Sequence, residues 1–188
     1  GADFPDSVFT INKASGTATL ASALSVNEPG QDLTITSGTL DQAGFNLTVN
    51  DVLTVGSSGT LQLQGGETIS PTPTLNSGST VTYTGTAASY TLENYTYSNL
   101  RVNGGASTVF SFPANLTTIA TLTLDNSITS LAGFNLTATT LVNNATLRLR
   151  GNETVTITNG NDTNSGTWEY VGDGAGGLTT FTLKDFGA

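Results

Sequence analysis

The chain has 188 residues, a net charge of −9 and only 10% charged residues. Its five basic side chains cannot form a phosphate-binding stripe, so nucleic acid is excluded as a partner, and no apolar run approaches the ~20 residues of a membrane helix. Without His or Cys the commonest bases, nucleophiles and transition-metal ligands are missing, so no catalytic residue, cofactor or metal is expected and the chain reads as a non-enzyme.

Thr, with 36 residues, and Gly, with 22, favour short strands closed by turns. In chain order, alternation predicts strands at Leu33-Thr34-Ile35, Leu47-Thr48-Val49, Leu53-Thr54-Val55, Leu61-Gln62-Leu63, Val81-Thr82-Tyr83 and Tyr90-Thr91-Leu92. It continues at Leu122-Thr123-Leu124, Leu147-Arg148-Leu149, Val155-Thr156-Ile157, Trp168-Glu169-Tyr170 and Phe181-Thr182-Leu183. Each turns two apolar side chains inward and its central polar residue outward. Turn signals separate them at Ser37-Gly38, Ala43-Gly44, Gly65-Gly66, Asn103-Gly104-Gly105, Asn143-Asn144 and Gly151-Asn152. Residues 70–79 and 158–166 read as loops protruding from one edge, because Pro71 and Pro73 cannot lie in a central strand.

A block of sequence recurs about 90 residues on. Gly44-Phe45-Asn46-Leu47-Thr48 returns as Gly133-Phe134-Asn135-Leu136-Thr137, and Leu61 to Thr68 returns as Leu147 to Thr154. A shorter period of about 20 lies inside it. It groups Ile11, Leu33 and Leu53; Leu20, Leu40, Leu61 and Val81; and Leu131, Leu147 and Trp168. Coils of that length, each with three short strands, predict an all-β fold: a single parallel β-helix (β-solenoid) of about nine coils, a rod about 43 Å long. It is expected to be continuous over 1–188 and made of two degenerate copies, approximately 1–97 and 98–188. Two tandem β-sandwich domains are the alternative, but they suit neither the short strands nor the short period.

The runs from Phe9 to Leu20 and from Leu33 to Val49 resemble the strand repeats of prokaryotic cell-surface proteins, adhesin-like parallel β-helices of the filamentous-haemagglutinin style. The resemblance implies an extracellular, non-catalytic, structural or adhesive role, and transfers no functional residue.

Several residue groups invite chemistry. Asp162, Glu169 and Asp173 flank Trp168 and Tyr170, and a glycosidase needs two carboxyls about 5–10 Å apart; a solvated acidic edge is the simpler reading. Glu67 and Glu153 occupy equivalent repeat positions, which suits a turn role better than an active site. Arg148 and Arg150 face outward and are expected to pair with neighbouring acids. Asp41, Asp51, Asp125 and Asp162 stand singly, without a calcium-loop pattern. Outward Thr rows suggest an ice-binding face, but Gln62, Arg148 and Glu169 interrupt them. Seven Asn-x-Ser/Thr triplets, at Asn46, Asn94, Asn115, Asn135, Asn144, Asn152 and Asn161, suit glycan attachment or mere composition.

These readings converge on a structural subunit of an extracellular filament, sheath or surface layer. Its partners are copies of itself joined head to tail, with surface glycans as a second class. Phase supports the joint: Phe186 matches Tyr95, which matches Phe4, so the last residues stop where the first take up the pattern. The expected assembly residues are Phe4, Val8, Phe9, Phe181, Leu183 and Phe186. The alternative is an adhesive or glycan-binding module contacting sugar through Trp168 and Tyr170, and the third reading is a carbohydrate-active enzyme.

Overall fold

The Leu- and Val-rich triplets form strands where alternation puts them, and the chain turns at its glycines. The computed structural model describes residues 8–159, 162, 165–172, 180 and 183. Its strands run parallel, stacked as a β-solenoid of about eight turns, and no helix occurs among the described residues. Parallel stacking excludes the sandwich alternative, whose sheets are antiparallel.

The chain divides into two compact units, the first of Gly1–Tyr83 with Tyr97–Asn99 and the second of Thr84–Thr96 with Leu100–Ala188. In the first, β1 (Phe9–Thr19), β3 (Leu33–Asp41), β5 (Leu53–Leu63) and β8 (Thr80–Tyr83) pair in that order, and β7 (Thr74–Leu75) also pairs with β5. A second sheet orders β2 (Leu24–Val26), β4 (Leu47–Val49) and β6 (Ile69–Ser70). In the second unit, one row runs β10 (Asn99–Val102), β12 (Leu116–Leu124), β14 (Leu136–Asn143) and β16 (Val155–Ile157); Asn99 counts with the first unit. The other row runs β9 (Ser89–Thr91), β11 (Val109–Ser111), β13 (Ile128–Ser130), β15 (Thr146–Leu149) and β17 (Thr167–Tyr170).

Register turns alternation into columns. Leu33 lies beside Leu53, Ile35 beside Val55, Leu40 beside Leu61 and Leu61 beside Val81, all at most 2% exposed. The duplicated core positions Leu47, Leu63, Leu136 and Leu149 are likewise at most 2% exposed. Three expected columns slip by two residues. Ile11 pairs with Ile35 rather than Leu33, and Ala18, not Leu20, lies beside Leu40, because the β1–β3 ladder shifts register between Ile11 and Thr17. Thr129, not Leu131, lies beside Leu147, because that coil is short: Ile128 pairs with Thr146, only 18 residues on. Close approach of coils explains one glycine: Gly59 lies beside Gly38, and a Cβ on it would run into the Ile35 carbonyl.

Residues 70–79 are not a protruding loop. Thr74 and Leu75 pair with Thr54 and Val55, and Pro73 is buried just before them. The prolines fall between β6 and β7, where a missing N–H removes no ladder bond. Residues 158–166 lie partly outside the described residues.

The two copies of the repeated block do not fall on equivalent strands. Leu47 belongs to the β2–β4–β6 sheet and pairs with Leu24 and Ile69, whereas Leu136 belongs to the β12–β14–β16 row and pairs with Leu116 and Val155. Their separation of 89 residues is not a whole number of ~20-residue coils.

Candidate functional site

The repeated block builds one device twice. In Gln42-Ala43-Gly44-Phe45 the N–H of Phe45 donates to the Gln42 carbonyl at 2.8 Å, and Ala43 (φ 50°) and Gly44 (φ 86°) are both left-handed. Leu131-Ala132-Gly133-Phe134 repeats this with a 2.9 Å bond and φ values of 55° and 95°. Two consecutive positive φ angles make a type I′ turn. An Ala in that conformation costs about 1–2 kcal/mol, so the surroundings must hold it.

Glu67 and Glu153 hold it. Glu67 Oε1 accepts the N–H groups of Gly44 (3.2 Å) and Gln64 (2.6 Å), and Oε2 those of Gly65 (2.7 Å) and Gly66 (3.0 Å). Glu153 accepts from Gly133 (3.0 Å), Arg150 (2.8 Å) and Gly151 (2.7 Å). Each carboxylate thus ties the type I′ turn to the turn one coil later. Glu67 is 7% exposed and Glu153 is fully buried. Buried carboxylates need such partners, and charge-assisted bonds are about twice as strong as neutral ones. This is the turn role expected of the duplicated glutamates.

Asparagines add stitches beside these turns. Asn46 Oδ1 accepts the Thr68 N–H at 2.8 Å and Asn135 Oδ1 that of Thr154 at 2.7 Å. Asn115 Oδ1 accepts the Asn135 N–H at 2.8 Å.

The carboxylates read as a candidate catalytic cluster have other partners. Glu169 Oε2 lies 2.7 Å from Arg148 Nε, across the β15–β17 ladder. Asp162 Oδ2 accepts the Asn143 N–H at 3.0 Å. Asp173 lies outside the described residues. The single aspartates are also engaged: Asp41 Oδ1 with the Ala43 N–H (2.9 Å), Asp51 Oδ2 with the Gly30 N–H (2.7 Å), Asp125 Oδ2 with Arg101 Nε (2.6 Å). Among the described residues no three carboxylates gather around a point that could hold an ion.

Trp168 and Tyr170 lie beside Leu147 and Leu149 on the same face, so they continue core columns, yet both are only half-buried. Of the expected assembly residues, Val8 is 54% exposed, Leu183 is 69% exposed and Phe9 is half-buried beside Leu33. Phe4, Phe181 and Phe186 lie outside the described residues. A depression of about 140 Å³ is lined by Asp125, Asn126, Ser127, Asn144 and Thr146 among others. Its polar rim is largely self-paired, with Asn144 Nδ2 on Asp125 Oδ1 and Asn126 Nδ2 on the Gly104 carbonyl, both at 3.1 Å.

Composition concealed two buried polar residues. Asn143 is fully buried; its Oδ1 accepts the Ala145 N–H at 3.3 Å and its Nδ2 donates to the Thr167 carbonyl at 3.4 Å, fixing a corner. Gln42 is fully buried with neither amide atom bonded. Its position in the repeat is that of Leu131, and this mismatch between copies was the available signal.

The Thr rows are more regular than the interrupting charges suggested. Thr10, Thr34, Thr54 and Thr74 form one in-register column, and Thr17, Thr39, Thr60 and Thr80 another. Comparison with known protein families, with curated proteins and with solved structures finds nothing that matches this chain.

Proposed function

We propose that the chain is a structural subunit of an extracellular filament, sheath or surface layer, joined to further copies head to tail through coil-end strands. The observation that carries this reading is β1, which pairs on one edge only among the described residues. Phe9, Ala18 and Leu24 there are half-buried, while their neighbours Leu33, Leu40 and Leu47 are at most 2% exposed. An unpaired strand edge above apolar columns is a template for another strand. A head-to-tail contact of that kind does not close and yields a filament. The low content of charged side chains and the absence of His and Cys agree with a structural role.

Light scattering over a dilution series, with negative-stain microscopy of the same samples, tests the reading. Linear assemblies that lengthen with concentration are expected; a chain that stays monomeric at high concentration contradicts it.

A second reading rests on Trp168 and Tyr170, half-buried on one face of β17. Two such rings would offer a stacking platform to a sugar. In that case soluble glycans would quench Trp168 fluorescence in the dispersed chain, and a Trp168→Ala variant would lose the binding.

A further inference from the structure

The Asn stitches use only half of each amide. Asn46, Asn115 and Asn135 are exposed, and each Oδ1 is held by a backbone N–H at 2.7–2.8 Å. Their Nδ2 atoms have no bond to a described residue. Each Asn is followed by a buried Leu, namely Leu47, Leu116 or Leu136, at most 6% exposed. Alternation therefore brings the Thr at the third position, Thr48, Thr117 or Thr137, to the same outer face as the Asn. Amide and hydroxyl stand together in the arrangement an Asn-x-Thr acceptor triplet presents to a glycan transferase. Asn144 differs, because its Nδ2 donates to Asp125 Oδ1.

We propose that Asn46, Asn115 and Asn135 are N-glycan acceptor sites. The co-reactant is an oligosaccharide carried on a lipid phosphate. Nδ2 bonds to the anomeric carbon, the carbon–oxygen bond to phosphate breaks, the lipid phosphate leaves with that electron pair, and one amide proton is lost. Asn115 and Asn135 sit on adjacent coils, roughly one 4.8 Å strand spacing apart, so sugars on both would collide. The pair carries one glycan per chain. The inference rests on the extracellular reading, which brings the chain to such a transferase.

The test is peptide mapping by mass spectrometry on protein isolated from the cells that make it, with fractionation to show where it resides. The expected result is sugar on Asn46 and on one of Asn115 and Asn135, with Asn144 bare. Thr48→Ala abolishes the first modification, and Thr117→Ala moves the second wholly to Asn135. These changes keep the Asn stitches, so an unchanged melting temperature shows that the fold is intact. Bare Asn46, Asn115 and Asn135 in chain recovered outside the cell overturn the glycan proposal and leave the extracellular reading standing. Chain confined inside the cell overturns both.

Discussion

Gln42 is the clearest conflict between a residue and its surroundings. Its amide is fully buried with no partner for either polar atom, in a position filled by Leu131 in the second copy. An unsatisfied buried polar group costs about 1–3 kcal/mol. Gln42→Leu should therefore raise stability by about 1–2 kcal/mol, a rise in Tm of about 2–8 °C for a chain of this size; a lower Tm in calorimetry would show that the amide has a partner. Glu153 is the opposite case, buried and bonded to three N–H groups. Glu153→Gln puts an NH₂ where only acceptors fit and should cost about 2–4 kcal/mol. Glu169→Gln, which breaks the partly exposed pair with Arg148, should cost less than about 1 kcal/mol. Denaturant melts of the two variants separate these cases, and equal losses would refute the difference. The glutamates were legible because they recur at the same place in the repeat. Their four- and three-fold N–H nests were not, because they depend on which turn stacks on which.

At the scale of the strand, alternation carried most of the information. Triplets such as Leu53-Thr54-Val55 and Leu147-Arg148-Leu149 are strands with inward apolar pairs, since a period of two has one solution once one face is dry. Register was less legible. The slips at Ile11 and Leu131 come from an irregularity in β1 and a coil of 18 residues, and neither changes the alternation that betrays a strand. Residues 70–79 misled because proline argues against a strand interior, while β6 and β7 are short enough to leave both prolines outside them. The columns set the cost of deletion. Leu63 is 2% exposed and lies beside the fully buried Tyr83, so Leu63→Ala should cost about 2–5 kcal/mol in a denaturant melt. A loss below about 1 kcal/mol would mean that the column is not close-packed.

For the whole molecule, the solenoid was legible from the ~20-residue period, and the displacement of the repeat copies onto different strands was not. That displacement follows from a separation of 89 residues, which is not a whole number of coils. The assembly surface was legible only as a pattern, since a free edge is a property of the stack and not of any one strand. Within β1, the Phe9 N–H donates to the Asp32 carbonyl, so by strand alternation the backbone groups of Thr10 face the open edge. Thr10→Pro removes the N–H on that edge, leaves the β1–β3 bonds of Phe9 in place, and blocks the approach of a further strand. The most direct measurement is sedimentation and negative-stain microscopy of the native chain and Thr10→Pro at equal concentration, with matched thermal melts. Long linear assemblies for the native chain and monomers for the variant, at similar Tm, are the predicted result. Native chain that stays monomeric, or equal assembly by both proteins, would contradict growth through the β1 edge.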